Sequence, residues 1–96
     1  MANQYKLIVI FGGQSAEHDV SCISARHVIA AADSERYEIL PIGIDKDGNW
    51  SYAEAAASAR LSGKLPKKLD PIGPVWNPFS ELEKMSERNR TIVFPL

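Results

Sequence analysis

A chain of 96 residues with a formal net charge of −1 and a pI of about 6.1 has no basic excess with which to hold a nucleic-acid backbone. Its composition, 45% hydrophobic and 24% charged, is that of a soluble globular domain with one small core, and no apolar run approaches the roughly 20 residues needed to span a bilayer. A single cysteine excludes an internal disulfide, and without a signal-peptide pattern the cytoplasm is the expected compartment.

Met1 to Gln4 read as a loose leader. Tyr5 to Phe11 reads as the first strand, and after Lys6 it is an unbroken apolar run of β-branched character, the pattern of a strand buried on both faces. It breaks at Gly12 and Gly13, which free the backbone for positive φ and let a ligand approach closely. Ser15, Glu17 and Asp19 then open a helix. Strand, glycine turn and helix start is the order in which an open α/β sheet places its ligand. Unpaired amides at a helix start favour an anion, whereas the Glu17 carboxylate attracts an ammonium, so a zwitterion would use both. The competing reading is purely structural: Ser15 or Asp19 caps the helix and Glu17 sits in solvent against the macrodipole.

From Asp19 to about Ala32 the spacing of Val20, Ile23, Ser24, His27 and Ala31 marks one helical face, widened by Cys22, Ala25, Ile29 and Ala30. Cys22, with no metal-ligand neighbours, reads as a small core residue. His27, flanked by apolar residues, is expected to be structural; His18, beside the loop, either touches a ligand or faces solvent. Asp33-Ser34-Glu35-Arg36 is a polar break, and Tyr37 to Ile44 a second strand. Pro41 within it lacks a ladder donor and is expected near an edge or where an N–H has no partner. Asp45-Lys46-Asp47-Gly48 is a tight turn and not a calcium loop, since the later carboxylates are missing; Asn49-Trp50-Ser51 leaves as a short strand.

Tyr52 to Leu61 has high helix propensity, with Gly63 as its stop. Lys64 to Pro78 carries four prolines and Gly73, the mark of an irregular excursion. Its lysines, Lys64, Lys67 and Lys68, read as a solvated loop, and Trp76 and Phe79 are expected to pin it down. Ser80 to Asn89 is a short charged helix with Leu82 and Met85 facing inward. Thr91 to Leu96 reads as a third core strand. The alternation predicts an α/β fold, a small three-layer parallel sheet with flanking helices and right-handed crossovers.

Two stretches carry a resemblance. Phe11-Gly12-Gly13-Gln14-Ser15-Ala16-Glu17-His18-Asp19-Val20-Ser21-Cys22-Ile23-Ser24-Ala25 closely resembles the opening motif of D-alanine–D-alanine ligases of the ATP-grasp superfamily. Arg36-Tyr37-Glu38-Ile39-Leu40-Pro41-Ile42-Gly43-Ile44-Asp45-Lys46-Asp47-Gly48-Asn49-Trp50 is similar to the same family at the expected distance. The likeness runs from about Lys6 to Trp50, fades, and returns weakly at Thr91-Ile92-Val93-Phe94-Pro95-Leu96. It implies a Rossmann-like domain preceding the ATP-grasp domains. Those ligases are several-fold longer, so residues 1–96 are expected to be the N-terminal substrate-binding domain of a longer polypeptide. The next family motif, a His-Gly segment followed by acidic residues, is not found.

In that family ATP phosphorylates the carboxylate of one D-alanine, and the amine of a second attacks the acyl phosphate to give the dipeptide used in peptidoglycan. The resemblance implies that Glu17 is the catalytic residue, holding the first D-alanine by its ammonium; that Gly12 and Gly13 shape the floor; and that Ser15, Val20 and Ser21 line the same subsite. It also implies a homodimer, and ATP with Mg2+ (or Mn2+) bound by domains outside this chain. No metal ligands are assigned here and no GxxxxGK[ST] loop offers another nucleotide site, so the isolated chain is expected to turn over nothing. Two alternatives stay open: a relative joining D-alanine to D-lactate or D-serine, and a non-catalytic α/β binding module.

Overall fold

The computed structural model describes residues 5–84 and 91–96. In chain order the elements are β1 (Tyr5–Gly12), α1 (His18–Ala31), β2 (Tyr37–Ile44), β3 (Trp50–Tyr52), α2 (Glu54–Ser62), α3 (Pro78–Lys84) and β4 (Thr91–Pro95). They form an α/β layer around one four-stranded sheet in the order β3-β2-β1-β4. β1 runs parallel to β2 and to β4, and the short β3 is antiparallel to β2. The mostly parallel sheet and its helices are those expected. The leader, residues 85–90 with Met85 among them, and the side chain of Leu82 lie outside what is described, so the inward-facing pair expected in the charged segment does too.

β1 is central because both its faces are apolar. Leu7, Val9 and Phe11 pack on one side against Cys22, Ala25 and Ile29 of α1, Ala53 and Ala56 beside and within α2, and Leu69 from the long loop. Ile8 on the other side meets Ile42 and Trp76. Cys22 is 1% exposed, a core residue as read, and burial, aided by Asp19, pushes its thiol above the usual range.

Pro41 is buried in β2, an interior strand, yet breaks no ladder. Its carbonyl accepts from the Ala53 amide on the side away from β1, and in an extended strand a residue's N and O point the same way. The missing donor therefore faces the end of β3, where the paired register has stopped at Ile42. At the turn, the Asp45 carboxylate accepts from the Asp47 and Asn49 amides and Gly48 takes φ +89°. These are turn formers, and the hydrogen bonds hold the Asp45 carboxyl below its ordinary 3.8.

Four expectations are corrected. The buried stripe of α1 is His18, Ser21, Cys22, Ala25 and Ile29, whereas Val20 and Ile23 are exposed and His27 lies outside the core. Apolar residues on two adjoining stripes made either face readable as the inner one. Phe79 does not pin the loop: it is 83% exposed, while Trp76 stacks on Trp50 at 6.3 Å and the unpredicted Leu69 is 1% exposed. β4 is not a core strand but a half-exposed edge, with Ile92, Val93 and Phe94 all above 40%. Finally, His18 does not face solvent, being 7% exposed.

Candidate functional site

The site forms where chain direction reverses. From β1 the chain crosses to β2 on one side, then passes back to β4 on the other. The carboxyl ends of β1 and β4 therefore diverge at a topological switch point, the place where open α/β sheets bind ligands. The start of α1 closes the third side.

Ser21 determines how this crevice opens. The Leu96 amide donates to the Ile10 carbonyl at 2.9 Å, so the regular parallel ladder would next pair the Gly12 amide with the Leu96 carbonyl. Instead the Gly12 amide donates to Ser21 Oγ at 2.9 Å, and that hydroxyl donates to the Leu96 carbonyl at 3.1 Å. A hydroxyl from α1 thus sits between two strands that would otherwise close on each other. Both backbone groups stay satisfied while the strands spread.

The resulting pocket, about 180 Å³, is lined by Gly12, Ser15, Glu17, Val20, Ser21, Ser24 and Leu96. It is smaller than the roughly 300 Å³ at which pockets for drug-sized ligands begin, so it suits a molecule of a few heavy atoms. Five of the six residues singled out from the sequence meet here; Gly13 does not line it. Gly13 lies in the adjoining turn at φ +105°, its amide bonded to the Ile44 carbonyl at 2.7 Å. Ser24 and Leu96 were missed, Ser24 because it was assigned to a helix face and Leu96 because only the strand order brings it here.

Glu17 is the N-cap residue of α1 and is exposed; its side chain makes no capping bond. Among the described residues its carboxylate has no hydrogen bond or ion pair, whereas Asp19 is bridged to Lys68 at 3.4 Å. Ser15 bonds back to the Glu17 amide at 3.2 Å, shaping the turn and not capping the helix. The amides of Asp19 and Val20 have no acceptor among the described residues. A free carboxylate beside free amides complements a small zwitterion.

Larger hollows lie elsewhere on the domain. One of about 330 Å³ near the far end of α1 includes Arg26 and Arg60, which donate to the Pro66 and Ala32 carbonyls. Another, of about 380 Å³, is an apolar groove between α1 and β4 lined by Leu7, Val28, Ile92 and Phe94. A third, of about 410 Å³, lies behind the glycine turn, where His18, Cys22, Lys46, Lys68 and Asp70 meet. His18 is the residue the sequence reading undervalued: its Nδ1 lies 2.6 Å from the Gly13 carbonyl oxygen. Its place on the 18, 21, 22, 25, 29 stripe was the available signal.

Fold and crevice together define an α/β domain with a small crevice at its switch point. Comparison with known proteins specifies it further. Residues 6–95 match the family model described as the D-ala D-ala ligase N-terminus, and the chain belongs to that family. It is 41% identical over 66 residues to the D-alanine–D-alanine ligase of Corynebacterium aurimucosum, covering 69% of this chain and 18% of the relative. It is 38% identical over 84 residues to that of Kineococcus radiotolerans, covering 86% of this chain and 22% of the relative. The chain thus spans about a fifth of the length of these curated relatives. Among solved structures, a VanG D-Ala:D-Ser ligase from Enterococcus faecalis superposes with a TM-score of 0.60 at 31% identity, covering 96% of this chain and 28% of that one.

Proposed function

We propose that the chain is the N-terminal substrate-binding domain of an ATP-dependent D-alanine–D-alanine ligase that makes the peptidoglycan dipeptide through an acyl phosphate. The observation that carries this reading is the unpartnered Glu17 carboxylate lining a crevice sized for a small amino acid. In this role Glu17 holds the ammonium of the first D-alanine by charge-assisted hydrogen bonds, which fixes where the substrate's carboxylate points. Val20 packs beside the methyl group, and the floor built by Gly12, Ser15 and Ser21 sets the depth, with Gly13 holding the turn.

Nucleotide and metal are not assigned to this chain. Among the described residues no three metal-ligating side chains converge, and the crevice is too small for a nucleotide. ATP and Mg2+ (or Mn2+) belong, in this reading, to the ATP-grasp part of a longer polypeptide, and the 96-residue chain alone has no turnover. A homodimer in the cytoplasm completes the reading; no helix among the described residues is long and apolar enough to cross a membrane.

The test is a chimera in which this chain replaces the matched segment of the C. aurimucosum ligase. ADP release driven by D-alanine is expected, and Glu17→Gln should raise the KM for the first D-alanine by about a hundredfold while leaving that for ATP unchanged. Equal losses for both substrates would remove Glu17 from the subsite. The 96% coverage by the D-Ala:D-Ser ligase favours a second reading, in which D-serine is the attacking amine. The dipeptide formed by the full-length parent enzyme discriminates the two.

A further inference from the structure

We infer that His18 is a positioning residue for the crevice, acting on the glycine turn from behind. The imidazole does not line the pocket that holds Glu17; it belongs to the hollow on the opposite side of the turn. From there its Nδ1 comes within 2.6 Å of the Gly13 carbonyl oxygen, while the Gly13 amide is already bonded to the Ile44 carbonyl at 2.7 Å. Both backbone groups of Gly13 are therefore held, one by β2 and one by α1.

The clamp constrains a turn in which two successive glycines take φ +90° and +105°. Free glycines sample many conformations, and only an outside constraint selects one. His18 is also the residue directly after Glu17, so the same helical turn that carries the carboxylate grips the loop beside it. A carbonyl oxygen can only accept, so the bond requires the proton on Nδ1. In the neutral ring this leaves Nε2 as the unprotonated nitrogen. The ring also lies against Gly12, since a Cβ built on Gly12 would sit 3.2 Å from His18 Cε1. Charged and titratable neighbours on that side are Asp19, Cys22, Lys46, Lys68 and Asp70, and among the described residues none of them hydrogen-bonds the imidazole to compete for Nδ1.

The kinetic consequence rests on the ligase reading above; the clamp itself does not, and the two fail separately. In the 96-residue chain a long-range 1H–15N spectrum of the imidazole should show His18 as the Nδ1–H tautomer. An Nε2–H tautomer would overturn the clamp whatever the enzyme does. In the chimera, His18→Leu should raise the KM for the first D-alanine about tenfold with the KM for ATP unchanged, and His18→Asn, whose amide can still donate to Gly13, should recover most of the loss. A lower unfolding midpoint with unaltered D-alanine KM would make His18 merely structural and sink the inference. A wild-type chimera without activity would sink the ligase reading and leave the tautomer result standing. Should His18→Leu fail to fold, the wild-type spectrum and the Asn variant's KM still decide.

Discussion

Gly12 and Gly13 share a left-handed backbone but live in different surroundings, and substitution should tell them apart. A Cβ on Gly12 would lie 2.3 Å from the Ile44 carbonyl oxygen, whereas one on Gly13 meets nothing within 4 Å. Gly13→Ala therefore carries only the conformational penalty, about 1–2 kcal/mol. Gly12→Ala adds a collision with β2 backbone and should lose about 3 kcal/mol or more. Urea midpoints of the two variants check the order. The glycine pair, the free Glu17 and the helix start were legible in the sequence because each follows from local residue type. That Gly12 is closed in and Gly13 open was not, because the obstructing carbonyl comes from another strand. For the same reason the bridge that the Ser21 hydroxyl makes between Gly12 and Leu96 was not legible, although Ser21 does line the crevice.

Single elements were recognised from their periodicity more securely than their inner faces. α1 was placed correctly as a helix, yet its apolar positions cover enough of the circumference that Val20 and Ile23 competed with Cys22 and Ile29 for the core. The long loop shows the complementary difficulty. It has no regular spacing, yet it is stitched to β3: the Tyr52 amide donates to the Pro74 carbonyl, and the Trp76 amide to that of Trp50. With Ser51 and Val75 bridged, Val75 is left 90% exposed while Trp76 is 7% exposed. Trp76→Ala should destabilise by about 3–5 kcal/mol, and Phe79→Ser should stay within about 0.5 kcal/mol of wild type. Chemical denaturation of both variants tests the contrast. Composition could not separate the two aromatics, because the alternation that buries one is set by pairing with a distant strand.

At the scale of the whole molecule the informative feature is the order of strands around β1. Local signals predicted strands and helices in parallel, but not which strand lies at an edge, and β4 was read as core because its residues are as apolar as those of β1. It pairs on one side only, and its side chains stay half exposed. Opening of β4 should therefore precede global unfolding: its amides are expected to exchange with deuterium well before those of Leu7 to Val9 in β1, which are flanked by strands on both sides. Equal protection in the two strands would mean that β4 is as firmly held as the centre.

The crevice and that edge also share a boundary at Pro95. Because the Leu96 amide points to β1, its neighbour Pro95 turns its nitrogen outward, and a proline nitrogen bears no hydrogen. A foreign strand approaching this flank meets a gap in the row of donors beside the binding end of the sheet. The rim is thereby guarded against indiscriminate sheet growth, and the mouth of the crevice is less easily plugged by a neighbouring molecule.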